Sequence, residues 1–404
     1  MNIFDKLNKV NFVPVVSFAC LDASYMEKYL YKDKYTSFYS KNSMVSYDKL
    51  LVNPFHSESK WKEVKPHVRE NTVIFSDSGG LQELTLGQKK QTPEEVVLWQ
   101  ENNAHIGFSF DSIPFIMPKK TEDSKVSRVG YLFDKKNFMS YAERSAQYLR
   151  RANNVRTNPD FKIYMIIQGN EYTDYIKWVN VLKSEKHEGY CVKCSSNSPM
   201  SMAESCLFAY FYLDKPVHFL GVELFSRSII CCYLSKYFKH SISFDGSSWA
   251  GGCRFRTYKL PFSCSNYVRL LSDDGIVGMD EAGKEDIIGI NKFNFCFCPV
   301  CSSMDNVPEL KNDLRFGMLL SLHNLLQSVN LLNFTEQILF NRHVLNSFVR
   351  NIFSESMASS IINAFDFIDY AVEVGYDLAH EKYKFILTRN DEVTVQTSFL
   401  DFVK

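Results

Sequence analysis

The chain has 404 residues, of which 45% are hydrophobic, 15% aromatic and 23% charged, and only 17 glycines and 12 prolines. That composition suits one large packed domain with attachments, or several smaller ones, and excludes a disordered or collagen-like chain. Its 46 Lys and Arg balance its 46 Asp and Glu, so it does not coat a polyanion by bulk charge, and a nucleic-acid partner would need a local basic patch.

In chain order, Lys6 and Lys9 precede an apolar stretch over 12–20, but Asp5 and Pro14 spoil it as a secretory signal and it reads as a first strand. Short apolar, β-branched or aromatic runs then recur, giving eight candidate strands at 12–18, 50–53, 73–77, 105–111, 162–168, 189–193, 217–222 and 241–245. Most are continuous runs, as in strands buried on both faces of a parallel sheet. Helix-compatible stretches lie between them, among them 93–102, 140–152, 172–185 and 226–238. The alternation predicts an α/β chain, a (β/α)8 TIM barrel. The most apolar region, 203–234, is broken by Glu204, Asp214, Lys215, Glu223 and Arg227 and is no membrane span. A cytoplasmic location is expected.

Polar or glycine residues end these strands repeatedly: Asp77-Ser78-Gly79-Gly80, Asp111, Gln168-Gly169, Gly221 and Asp245. A single one marks no more than the start of a loop. Two carboxylates with a carboxamide and a Gly-Gly turn point further, because such barrels place their active sites at the C-terminal strand ends. The glycines after Asp77 let a ligand approach the backbone closely. Two carboxylates at one mouth meet the needs of chemistry at a glycosidic carbon, where one attacks and the other moves protons.

After Gly289 the character changes. Residues 1–290 are assigned to the barrel, 291–330 to a zinc-binding subdomain and 331–404 to a mostly helical C-terminal extension, in which 384–403 could add a short strand. Cys296-Phe297-Cys298-Pro299-Val300-Cys301 offers three of the 11 cysteines in one tight run. With His323, on a helix-like stretch over 314–332, they would fill a tetrahedral Zn²⁺ shell with no open position, hence a structural site. Cys191-Val192-Lys193-Cys194 could be a second half-site or a redox pair, although its thiols sit three apart on a strand and so point to opposite faces. Cys231 and Cys232 read as helix core.

Together these residues resemble the tRNA-guanine transglycosylase superfamily, enzymes that exchange a guanine in a polynucleotide for a 7-deazaguanine. The matching pieces, in the family's order, are Phe55-His56, Asp77-Ser78-Gly79-Gly80, Phe110-Asp111, Ile167-Gln168-Gly169, Gly189-Tyr190, Leu220-Gly221-Val222, Phe244-Asp245, the Cys296/Cys298/Cys301 run and His323-Asn324-Leu325. The resemblance implies that Asp245 is the nucleophile, forming a covalent glycosyl-enzyme at C1′, and that Asp77 handles protons for the departing and incoming bases. It implies that Asp111 and Gln168 read the purine-like edge, with Ser78 and Gly221 beside the base.

The sequence also departs from the tRNA-acting bacterial members. Leu81 stands where they carry a ring that stacks on the base, Cys191 to Ser196 replace a glycine-rich loop, and Gly246-Ser247-Ser248-Trp249 replace the Pro-Thr-Arg after the nucleophile. This pattern is more similar to the DNA-acting DpdA-type branch, which implies DNA as polymer, a preQ0-type 7-deazaguanine base as incoming substrate and partner proteins for opening the duplex. The tRNA reaction is the alternative, and a non-catalytic zinc-braced accessory subunit is the reading from another class. Basic clusters at Lys119-Lys120, Lys135-Lys136, Arg150-Arg151 and Arg254/Arg256/Lys259 could track a phosphate backbone or merely form solvated faces.

Overall fold

The computed structural model describes residues 3–16, 30–31, 34–35, 37–53, 61–80, 91–116, 132–194, 198–222, 224–251, 257–260, 267–270, 276–279, 285–288, 296–303 and 314–387. Eight parallel strands build one sheet: β1 (Val10–Pro14), β2 (Lys49–Val52), β3 (Val73–Ser76), β4 (Ile106–Phe108), β5 (Lys162–Ile167), β6 (Gly189–Lys193), β7 (Val217–Leu220) and β8 (Ile242–Gly246). Their order is β1-β8-β7-β6-β5-β4-β3-β2. The ring closes where Val15 bridges Leu51 and the Val16 N–H donates to the Leu51 carbonyl at 2.9 Å. The chain is a (β/α)8 barrel, with the strands where the apolar runs predicted them, though most end a residue or more earlier.

Alternation along the strands explains those uninterrupted runs. Val13, Leu51, Phe75, Phe108, Tyr164, Ile166 and Cys191 make a buried cluster of their own inside the ring. Their strand neighbours, such as Ile74, Met165 and Val192, belong to the larger core beneath the helices. Both faces are therefore dry. The N-terminal turn Ile3–Lys6 closes the bottom, with Ile3, Phe4 and Leu7 packed on the inner cluster.

The outer layer includes α1 (Pro93–Asn103), α2 (Phe138–Val155), α3 (Tyr172–Leu182), α4 (Pro199–Tyr212) and α5 (Phe225–Leu234). Local chemistry sets their starts. Thr92 and Glu95 form a reciprocal capping box at α1, Ser198 caps α4, and a proline follows each cap.

Beyond β8 the structure departs from the predicted division at residue 290. Strands β9 (Thr257–Lys259), β10 (Tyr267–Leu270), β11 (Ile276–Met279) and β12 (Glu285–Ile288) form a separate antiparallel sheet. These strands are short and mix apolar with charged residues, as in Tyr267-Val268-Arg269-Leu270, so no long apolar run announced them. The short helix α6 (Pro299–Ser303) and the long helix α7 (Leu314–Ile338) follow. Helix α7 packs on α5 and β9, and the Val10 backbone hydrogen-bonds its Glu336, so α7 takes the place of an eighth barrel helix.

The extension is α8 (Arg342–Ile352), α9 (Glu355–Val374) and α10 (Tyr376–Tyr383). It is not a separate lobe. Helix α9 packs on α4 and α5, the Tyr376 hydroxyl donates to Glu204 at 3.0 Å, and the Tyr233 hydroxyl donates to Asp369 at 2.6 Å. This accounts for the apolar region 203–234: α4 and α5 are covered by the barrel on one side and by α9 on the other. Among the described residues no helix is long and apolar enough to cross a membrane. Of the strand suggested at 384–403, residues 384–386 form a turn and 388–404 lie outside the described residues.

Candidate active site and metal centre

The pleat that buries the inner cluster also aims the polar residues. Asn53, Asp77, Gln168, Lys193 and Asp245 each stand two positions beyond an inward residue: Leu51, Phe75, Ile166, Cys191 and Ser243. All five therefore face the axis at the C-terminal mouth. Asp111, three positions after Phe108, does not follow by simple alternation. The chain leaves β4 and turns so that Phe110 packs outward on Tyr148 while Asp111 is buried beside Gln168.

The Asp77 carboxylate accepts from the Ser78 N–H at 2.7 Å and from the Asn53 amide at 3.0 Å. The Gln100 side chain donates to the Asp77 carbonyl at 3.0 Å, and Gly79 turns the chain with a φ of 75°. Ser78 is committed to this turn, its hydroxyl accepting from the Gly80 N–H at 3.3 Å. A Cβ at Gly80 would lie 3.2 Å from Asp111 Oδ1, so the turn sits directly against Asp111.

Asp245 Oδ1 accepts from the Gly221 N–H at 2.7 Å and lies 3.2 Å from His218 Nε2. Gly221 aims its N–H from a φ of 66°, which no bulky residue adopts readily, and its carbonyl accepts from Arg227 at 3.0 Å. His218 is enclosed inside the barrel against the rings of Phe108 and Phe75, with Nδ1 2.9 Å from Ser243 Oγ. A carboxylate oxygen only accepts, so Nε2 is the protonated nitrogen and donates to Asp245. Oδ1 is thus doubly held.

The carboxylates feel one another. Burial, and then the charge of Asp245, raise the Asp77 carboxyl from 3.8 to about 6, against the bonds from Ser78, Gly79 and Asn53 that lower it. Burial and the charge of Asp77 likewise raise Asp111 to about 6. Burial, then Asp245, Asp77 and Asp111 together push the Cys191 thiol far up. Cys191 is the floor beneath all three, and the carboxylates converge over it.

Gln168 donates to Asp111 Oδ2 at 2.6 Å, while its own buried Oε1 has no partner among the described residues. Lys193 stands beside them, its ammonium 3.5 Å from the Phe115 ring centroid. The mouth therefore combines acceptors, a cation and an opposed pair of carboxylates. Asp77, Ser78, Asp111, Gln168, Gly221 and Asp245, legible in the sequence as polar strand ends, come to one mouth. Asn53, His218 and Lys193 join them and carry no such mark, although strand parity with Leu51, Ser243 and Cys191 points to them.

Cys296, Cys298, Cys301 and His323 form a second constellation, their ligand atoms all within 4.8 Å of one another. His323 Nδ1 is 3.2 Å from Cys301 Sγ and 3.4 Å from Cys298 Sγ, and Nε2 donates to the Lys259 carbonyl at 2.7 Å. That bond leaves Nδ1 as the lone-pair nitrogen on the sulfur side, as a metal ligand requires. Tyr258 stacks on the imidazole at 4.0 Å, and the Gln327 amide donates to Cys296 Sγ at 3.3 Å. The donor set fits one metal ion. Because Tyr258 and Lys259 lie on β9, the centre draws on residues before the predicted boundary at 291. Cys191 and Cys194 face different surroundings, inner cluster and outer core, and belong to no metal-ligand cluster among the described residues.

Several members of the basic clusters are engaged locally. Lys259 is buried and donates to Ser328 at 3.1 Å, while Arg150 and Arg151 pair with Glu185 and Glu94 on the barrel's flank. Lys135 reaches Glu171 at 3.8 Å. Phe55-His56, Leu81, Lys119-Lys120, Ser195-Ser196, Arg254 and Arg256 lie outside the described residues.

No family model and no curated protein sequence matches the chain. A solved structure that it resembles in part is a phosphoenolpyruvate phosphomutase from Streptomyces platensis subsp. rosaceus, at 9% identity over 61% of this chain and 78% of that one, with a TM-score of 0.35. A likeness at that level carries no argument about the chemistry of this site.

Proposed function

We propose that the protein is a base-exchange transglycosylase that replaces guanine in DNA with a 7-deazaguanine through a glycosyl-aspartate intermediate. One observation supports this above all: Asp77 and Asp245, 168 positions apart by number, share one barrel mouth closely enough for the charge of one to raise the pKa of the other. In this reading the target nucleotide leaves its stack and enters the mouth. The free Asp245 Oδ2 attacks C1′ as the bond to the guanine nitrogen breaks, and the departing base takes a proton from Asp77. A carboxyl near 6 is partly protonated close to neutrality, as this step needs. In the second half Asp77, now ionised, takes a proton from the incoming base, whose nitrogen attacks C1′ and releases Asp245. The N–H groups of Gly221 and His218 on Oδ1 stabilise the carboxylate each time it reappears.

Asp111 and Gln168 would hold the edge of the base, with acceptors for its N–H groups. The metal is assigned as zinc in a saturated Cys₃His shell that braces β9 and α7 and takes no part in the reaction. An accessory role explains neither the buried carboxylates nor their anchoring, since a scaffold needs no destabilising charge. DNA is preferred to tRNA on the motif contrasts after Asp245, where Trp249 is buried and donates to the Val15 carbonyl at 3.2 Å.

The test is incubation of the zinc-loaded protein with a labelled 7-deazaguanine and either DNA or bulk tRNA, beside Asp245→Asn. Label in DNA, with a covalent polynucleotide adduct absent from Asp245→Asn, is expected. Label in tRNA alone changes the polymer, and an adduct persisting in the variant removes Asp245 from its role.

A further inference from the structure

The exchange chemistry leaves one amine of the mouth unused. Strand β6 sets Cys191 as the floor beneath the carboxylates, and the next inward position carries Lys193. Its backbone is fixed, with the Tyr175 hydroxyl donating to the Lys193 carbonyl at 3.0 Å. Its amino group makes no hydrogen bond and no ion-pair contact among the described residues, and rests 3.5 Å from the Phe115 ring centroid. Asp111 is near enough to favour the charged lysine, but its Oδ2 is taken by Gln168. Burial is the larger effect and brings Lys193 from 10.5 down to about 7. A large share of the amine is then neutral near pH 7 and carries a free lone pair.

A neutral amine held in a mouth that a substrate enters reacts with carbonyl carbons. Base exchange supplies such a carbon in the same place. Between the two half-reactions the nucleotide has no base. Water that reaches C1′ in place of a base releases Asp245 and leaves an abasic deoxyribose, whose hemiacetal opens to a C1′ aldehyde. We propose that Lys193 captures this aldehyde as an imine, so that the mouth holds an abasic nucleotide covalently instead of releasing it. The inference rests on the transglycosylase reading and adds a second activity on DNA at that site. Lys193 Nζ attacks C1′ and forms the N–C bond. The carbonyl oxygen takes one proton from the nitrogen and one from the Asp111 carboxyl, then leaves as water when the C–O bond breaks. The products are a protonated imine and an ionised Asp111 beside it, and water returning to C1′ reverses the steps. Asp111, raised to about 6 chiefly by burial, still holds its proton in part where Lys193 has lost its own in part.

The test mixes the zinc-loaded full chain with a labelled single-stranded oligonucleotide in which one deoxyuridine has been excised to leave an abasic site. Sodium cyanoborohydride is present to reduce any imine to a stable amine. The wild type should form a covalent adduct whose added mass maps to the peptide that contains Lys193. Lys193→Met and Lys193→Arg should each lose about tenfold or more of the trapped yield, the arginine because it keeps a cation without the nucleophile. An adduct mapped to another residue, or no adduct, overturns the inference whether or not the variants fold. Exchange of labelled guanine into intact DNA is measured in parallel. Exchange without the Lys193 adduct overturns the capture alone. A Lys193 adduct without exchange supports the capture and overturns the transglycosylase reading.

Discussion

Asp77 and Asp111 are carboxylates placed where ionisation is costly, and the placement has a thermodynamic signature. Both are raised from 3.8 to about 6, chiefly by burial. The folded chain then binds these protons more tightly than the unfolded chain. Stability is greatest with both groups protonated, falls as pH rises from about 4, and the loss is complete above about 6. Each shift corresponds to a penalty on the order of 3 kcal/mol at neutral pH, not additive because the groups sense each other. Asp111→Asn should accordingly raise the thermal midpoint at pH 8 and lose that advantage at pH 4. Equal shifts at both pH values would show that the carboxyl is not the strained group.

At the scale of elements, strands place the mouth carboxylates and the Cys/His cluster gathers what lies outside the barrel. The Cys/His cluster joins β9 and α6, which bring few apolar residues beyond Tyr258 and Val300, to the first half of α7, whose leucines are in the core. His323→Ala should lose about one zinc per chain by elemental analysis. Hydrogen exchange should then rise first at 257–260 and 318–327 while the barrel strands stay protected, since metal binding and local order are one equilibrium. Unchanged metal content would exclude His323 as a ligand. The same centre shows how far local sequence can be read. Three thiols in one short run are visible, whereas Lys259, whose carbonyl orients the imidazole, looked like part of a basic cluster. Nothing in its neighbourhood said that it would be buried.

For the molecule as a whole, barrel and extension share a core. Ala364 is fully buried on α9, the helix that packs on α4 and α5. Ala364→Asp puts an unpaired charge there and should destabilise the chain by about 3 kcal/mol or more, with barrel and extension melting in one transition. Two separated transitions in urea, the barrel's unshifted, would show that the extension is an independent unit. Arg342 strengthens the join by contacting Asp366, Asp369 and the Tyr233 hydroxyl, so α8, α9 and α5 are linked by charge as well as by packing.

The sequence by itself determined the eight strands, because residues dry on both faces must be apolar without interruption, and it pointed to the Cys/His cluster, because three thiols so close together have few other uses. It also carried the mouth residues, which end strands at polar positions. Only the tertiary structure decided that His218 and Lys193 stand beside them, since what a lone histidine or lysine within a strand meets depends on what the neighbouring strands bring opposite it. Tertiary packing also decided that the helical extension covers the barrel. Its apolar spacing shows that a face is buried, but which surface buries it depends on contacts between residues more than a hundred positions apart, such as Glu204 and Tyr376.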